Sequence, residues 1–258
     1  MDGSYSFKEK NNIDLNVVGK NTTVQTLISL LPEETSEKLS QYHSSGDAYL
    51  EMKVNGEVGP EAYPSLKVTF GLSKATLYHP DIQTKIQDVN LEGSYANPSM
   101  LRPETASLTL KNMKGDLNAR NFSANLSIKN FNNPFVVCDF SGELEITSLF
   151  SFYPMPDIKN PKGILQADIS LAGEIELLKH KATAQQVKTT GHVVMQNLQF
   201  DYGAHDALFR EINGTLQFNN NDLAISNVNL RLGNSDFLLN GFLKTSSRTC
   251  SLKTSRLV

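Results

Sequence analysis

The residues of this chain best suited to chemistry are five histidines, two cysteines and one closely spaced pair of glutamates. His43, His79, His180, His192 and His205 never take the H-E-x-x-H spacing that sets two imidazoles on one helical face for a metal. Cys138 lies in a β-like run and Cys250 in a polar segment, without metal-type spacing, so they read as unrelated thiols. Glu143 and Glu145 are the kind of carboxylate pair that acid–base catalysis uses. A spacing of two also puts both on the wet side of a strand, where charge is expected anyway. Gly19-Lys20-Asn21-Thr22 ends like a phosphate-binding loop, but Asp14 stands where that loop needs its first glycine. No G-x-S-x-G elbow presents a serine nucleophile. N-x-[ST] triplets begin at Asn21, Asn121, Asn125 and Asn213, a frequency that chance supplies in an Asn- and Ser-rich chain. The expectation is a protein that is not an enzyme, with no catalytic residue, metal or cofactor.

What must position any site is a β framework. Ile164 to Glu176 alternates strictly: Leu165, Ala167, Ile169, Leu171 and Ile175 point one way, Gln166, Asp168, Ser170, Glu174 and Glu176 the other. Ala48 to Val54, bounded by Gly46 and Gly56, does the same with Leu50, Met52 and Val54. Both read as long antiparallel strands with one wet face.

The framework is written twice. Val24, Leu27, Ile28, Leu31 and Pro32 return as Ile146, Leu149, Phe150, Tyr153 and Pro154, 122 residues on. Gly46 and Gly56 return as Gly163 and Gly173, at an offset of 117. Ile86, Val89 and Tyr95 match Phe209, Ile212 and Phe218 at 123. Leu108, Leu110, Asn112, Met113, Leu117 and Phe122 match Leu223, Ile225, Asn227, Val228, Leu232 and Phe237 at 115. The drop from 123 to 115 places eight extra residues in the first copy, at the loop-like Ala96–Pro103. In the second copy Asn219–Asp222 reads as a hairpin turn.

Each copy opens with a helical i, i+3, i+4, i+7 stripe, the first capped by Asn21, Thr22 or Thr23, and each stripe reads as a plug on a sheet. Pro32-Glu33-Glu34 predicts a second helix to about Gln41 in the first copy only. In the other copy Pro154, Pro156 and Pro161 forbid one. The chain thus divides into the end of a preceding repeat (1–19), a helix-plus-meander repeat (20–142), an incomplete second repeat (143–243) and a tail (244–258). That tail has no alternation and no acid, and reads as foreign to the fold or disordered. The fold class is mainly β: long antiparallel meander strands in two repeats, forming an extended curved sheet or groove, with short helices at the repeat starts.

Composition narrows the partners. The 258 residues are 39% hydrophobic and 20% charged, with a net charge of −3, so no basic footprint for nucleic acid exists. No stretch approaches the roughly 18 apolar residues that span a bilayer. Met1-Asp2-Gly3-Ser4 does not open a signal peptide, which leaves a cytoplasmic protein or one whose targeting segment is cut away. The apolar strand face remains as the functional feature. It suits either packing on a second sheet or a trough for acyl chains. Its candidate lining is Leu50, Met52, Val54, Leu108, Leu110, Leu165, Ala167, Ile169, Leu171, Leu223, Ile225 and Leu232.

Phe209-Arg210-Glu211-Ile212-Asn213-Gly214-Thr215-Leu216-Gln217-Phe218, then Leu223-Ala224-Ile225-Ser226-Asn227-Val228 and Asp236-Phe237-Leu238-Leu239-Asn240-Gly241, resembles the C-terminal repeat region of AsmA-like proteins. Gly19 and Gly142, each leading into a helix, resemble that family's repeat junctions. The resemblance covers roughly residues 5–243. It implies a periplasmic β-groove that carries phospholipid between membranes or serves outer-membrane biogenesis. It also implies an inner-membrane anchor through an N-terminal helix missing here, and further repeats of the same parent chain as partners. The family brings no catalytic residues. The alternative from the residues alone is a structural or ligand-binding β-sandwich scaffold of the cell envelope or surface.

Overall fold

A computed structural model describes residues 2–6, 11–29, 43–79, 84–152, 155–179, 183, 186–220, 222–244 and 249–257. The chain is mainly β and divides into two compact units, each considered by itself. Strands pair antiparallel with their sequence neighbours and without crossovers, and the order does not close on itself. The expected meander with short helices at the repeat starts is therefore what forms.

Unit 1 contains β1 (Asp2–Ser6), β2 (Asn11–Thr23), α1 (Val24–Ser29), β3 (His43–Val58), β4 (Ser65–His79), β5 (Thr84–Asn97) and β6 (Ser107–Leu117). Two further strands, β7 (Arg120–Lys129) and β8 (Phe135–Glu145), contribute residues to both units. Unit 2 contains α2 (Ile146–Phe152), β9 (Ile158–Glu174), β10 (Lys188–Tyr202), β11 (Ala207–Asn219), β12 (Asp222–Leu232), β13 (Ser235–Lys244) and β14 (Thr249–Leu257).

Strands this long are interrupted by bulges, which bend a strand and raise its twist. Asparagines pin them, at equivalent places in both units. Lys74 in β4, at φ 49°, donates its N–H to Asn90 Oδ1 in β5 at 3.2 Å. Its counterpart Asn197 in β10, at φ 48°, donates to Asn213 Oδ1 in β11 at 2.8 Å. Asn90 and Asn213 then donate from Nδ2 to the carbonyls of Asp88 (2.7 Å) and Glu211 (2.9 Å), themselves at positive φ. One strand pair on, Asn112 donates to Asn125 Oδ1 at 3.0 Å, and Asn227 to Asn240 Oδ1 at 2.8 Å. Each amide satisfies a backbone donor that the bulge has taken out of the ladder.

Against the first of these bulges lies a glycine that has no room for a side chain. A Cβ on Gly46 (φ 114°) would meet the Ala75 Cα at 2.5 Å, and one on Gly163 (φ 109°) the Leu198 Cα at 2.7 Å. The Gly46/Gly163 repeat is thus a close approach of backbones as well as a left-handed position.

Two expectations are corrected. The strand expected from Ile164 to Glu176 begins at Ile158 and ends at Glu174, and Ile175 turns into a 3₁₀ segment, Ile175–Lys179. Pro161 enters that strand because register irregularities interrupt the β9–β10 ladder around it, so no ladder donor is required. The tail, expected to be foreign to the fold or disordered, forms a strand from Thr249 to Leu257, paired from Lys244↔Thr249 to Asp236↔Leu257, so the disordered alternative falls. Its backbone follows the edge that β13 offers, which needs no side-chain alternation. The second helix expected from Pro32 falls outside the described residues.

Candidate functional site

Residues directly opposite in an antiparallel ladder share a sheet face, so register decides which side chains line one surface. In unit 1, Leu15, Val17 and Gly19 of β2 oppose Val54, Met52 and Leu50 of β3. Those three in turn oppose Leu66, Val68 and Phe70 of β4. Val68 and Phe70 face Tyr95 and Gly93 of β5, which face Leu108 and Leu110 of β6. All five candidates of unit 1 therefore lie on one continuous apolar face.

Unit 2 repeats the pattern. Leu165, Ala167, Ile169 and Leu171 of β9 oppose Met195, Val193, Gly191 and Thr189 of β10. Gly191, Val193 and Phe200 oppose Phe218, Leu216 and Phe209 of β11, which oppose Leu223, Ile225 and Leu232 of β12. All seven candidates here share one face. The reverse side is polar, with Asp168↔His192 and Ser170↔Thr190 in unit 2 and Glu51↔Thr69 and Lys53↔Lys67 in unit 1.

Among the described residues, one short helix sits on each face, at one end. Val24 of α1 packs with Ala75 and Val89, all three buried, against Leu72, Leu77, Ile86 and Leu91. Ile146 of α2 packs with buried Leu198, Ile212 and Val228, against a larger apolar surround that includes Phe150, Phe200 and Phe209. Of the helical stripes, Val24, Ile146 and Phe150 pack as the expected plug, whereas Leu149 is exposed, and Leu31 and Tyr153 lie outside the described residues. Thr23 caps α1, its Oγ1 accepting the Thr26 N–H at 3.2 Å. Thr147 ties α2 down by donating its hydroxyl to the Pro161 carbonyl at 2.7 Å.

Away from the helices the face is only partly covered. Leu50 and Val54 are buried, while Met52, Leu108, Leu110, Leu165, Ala167, Ile169, Leu171, Leu223 and Ile225 are half-buried. Leu232 is 36% exposed. Among the described residues, neither unit has a second sheet to lie against this side. A sandwich core is thus absent within each unit.

The polar groups that drew attention in the sequence have structural partners. Arg120 holds both carboxylates of the suspected pair, Glu143 at 3.0 Å and Glu145 at 3.5 Å. Asn125 and Asn213, which begin two of the N-x-[ST] triplets, spend their side-chain oxygens on the bulges. His43 meets the Tyr78 ring edge-on, with centroids 6.3 Å apart. Burial raises the Cys138 thiol above its ordinary range, which disfavours the reactive thiolate. Among the described residues no three His, Cys, Asp or Glu side chains gather as a metal site.

An ionic network escaped the sequence reading. Asp201, 8% exposed, accepts from Asn160 Nδ2 at 2.7 Å and from the Arg210 guanidinium. The Asn160 and Arg210 hydrogen bonds hold its carboxyl below the ordinary range. Arg210 also donates to the Phe200 and Phe209 carbonyls. Nearby on the strand ends, Lys159 pairs with Asp206 at 2.7 Å. These residues are up to 51 apart in sequence, and no local spacing announces them. The asparagine pins were more accessible: Lys74, Asp88 and Asn90 recur as Asn197, Glu211 and Asn213 at the offset of 123, and Asn125 recurs as Asn240 at 115.

The site that these residues build is a one-sided apolar surface with a polar reverse, twice over. It offers burial of hydrocarbon. Comparison with known proteins finds no family model, no curated protein and no solved structure that matches this chain.

Proposed function

We propose that the apolar face of each unit binds acyl chains. In this reading the protein is a non-enzymatic section of an AsmA-like lipid path in the cell envelope, moving phospholipid passively between membranes. One observation carries the reading: every candidate residue of a unit falls on one apolar face, on which a short helix packs at one end. A soluble protein that leaves such a face without a second sheet has hydrophobic surface to satisfy, and hydrocarbon satisfies it without directional chemistry. The AsmA-like resemblance adds phospholipid as the class, the periplasm as the place and the inner membrane as the anchor of the parent chain.

The test is native mass spectrometry and lipid extraction on gently purified protein. Phospholipid is expected to co-purify with the unaltered chain and to be lost on Ile169→Asp. That position lies outside the helix-packed cluster, so the fold is expected to survive, which circular dichroism checks. Ile225→Asp should act likewise wherever circular dichroism shows the sheet intact. Gln166→Asp, on the polar reverse of the same strand, should retain lipid. Protein that purifies free of lipid under these conditions refutes the reading.

A further inference from the structure

The eight-residue insertion of unit 1 is an ordered loop with an apolar tip. Asn97, buried at 3% exposure, organises it from below: its Oδ1 accepts the Ser99 N–H (3.1 Å) and the Thr105 hydroxyl (2.7 Å), and its Nδ2 donates to the Met100 carbonyl (3.3 Å). The Met100 N–H reaches the Pro64 carbonyl at 3.1 Å, and Arg102 closes a turn on the Ser99 carbonyl at 2.8 Å. The β7–β8 loop docks alongside, Phe131 donating its N–H to the Pro103 carbonyl at 2.9 Å. This framework holds Leu101 at 69% exposure, the most exposed large apolar side chain among the described residues, with Met100 and Phe131 at 39% each. Local hydrogen bonds that pin hydrophobic side chains outward oppose the ordinary drive to bury them.

The tip is continuous with the apolar face. Phe131 meets the Tyr95 ring edge-on at 6.0 Å, and Tyr95 stands opposite Val68 and Leu108. It lies at the end of the face away from α1, whose partners Ala75 and Val89 sit beyond the bulges. Unit 2 has a tight turn at the equivalent place, with Asn219 opposite Asp222. Arg102 and Glu104 flank the tip with opposite charges, so it carries no net field toward either lipid charge class.

We infer that the 98–105 loop, with Phe131 beside it, is a contact for a lipid surface: Met100 and Leu101 enter the interfacial region of a bilayer and set the open end of the unit 1 face against it. A projecting convex tip suits a deformable acyl phase, whereas a protein partner would need a matching pocket. This inference rests on the acyl-binding reading.

Flotation with phosphatidylcholine vesicles tests it. The full chain is expected to float with the vesicles, and equally well when phosphatidylglycerol is mixed in. Met100→Ser/Leu101→Ser is expected to reduce the floated fraction by about tenfold, since two side chains lose their burial in the interface. Thermal unfolding should be unchanged, because both residues are exposed. The double variant should still co-purify with phospholipid, which separates failure of the tip from failure of the face. A full chain that does not float overturns the inference. So does a double variant that floats like the parent, or a tip whose loss abolishes self-association instead.

Discussion

The two units solve one packing problem with different residues at equivalent positions. In unit 1 the Phe70 ring lies across Gly93, directly opposite it, so that a Cβ on Gly93 would collide with the ring. The same pair in unit 2 is Val193 opposite Leu216. On the polar side, Tyr49 covers Gly71 in unit 1, where unit 2 sets Gln166 opposite Val194. The buried triplet under each helix also changes size, from Val24, Ala75 and Val89 to Ile146, Leu198 and Ile212. What the duplication preserves is therefore how much of the face each cross-strand pair fills, the place of each bulge and its asparagine pin, while the cluster under the helix grows in unit 2. Residue identity is free to move as long as a large side chain gains what its partner loses.

The core makes the largest test of that comparison. Ile212→Ala is expected to destabilise by about 3–4 kcal/mol and Val89→Ala by about 2, because three and two buried carbons are removed in sites of unequal size. Urea denaturation measures both, and equal losses would remove the claim that the two cores differ in depth. Next comes the cross-strand exchange. Gly93→Leu alone should cost about 2–3 kcal/mol through collision with Phe70, and Phe70→Val/Gly93→Leu, which writes the unit 2 pair into unit 1, should recover most of it. Additive losses in that cycle would show that the pairs do not compensate.

The pins should behave alike. Asn90→Ala and Asn213→Ala are each expected to cost about 1–2 kcal/mol, since both leave a bulge N–H and a carbonyl without their amide partner. A pin that matters in one unit only would break the structural equivalence. The smallest effect is one of pH. Asp201 and Asn160 occupy the places held in unit 1 by Tyr78 and His43. The folded-state carboxyl of Asp201 is depressed by Asn160 and Arg210, so its contribution is present above the unfolded carboxylate range and is lost as pH falls through the folded value. Amide exchange protection at the strand ends of unit 2 should then decline on acidification, and Asp201→Asn should flatten that decline. An acid decline that survives Asp201→Asn would assign the effect to another group.

Much of the candidate face was legible before any coordinates. Leu165, Ala167, Ile169 and Leu171 alternate with polar residues, and the pleat alone sends them to one side. Register was not legible, because a ladder partner lies a hairpin away and a bulge shifts it by a residue. Ile175 illustrates the limit: its position continues the alternation, yet the backbone leaves the strand at Glu174. Leu232 is the converse, correctly placed on the face through its partner Phe209 but at an exposed strand end. Asp201, Asn160 and Arg210 carried no signal, since strand pairing alone brings them together.

The sequence by itself determined that this protein is a twice-written β meander with one apolar side, because alternation and repeat spacing are properties of the chain read locally. Only the tertiary structure decided that, among the described residues, the apolar side of each unit is met by a short helix at one end and by no second sheet, that asparagines pin the bulges, and that the insertion holds Leu101 outward. Each of these depends on which distant backbone groups remain unpaired once the strands are in register, and hydrogen-bond satisfaction is settled across strands rather than along them.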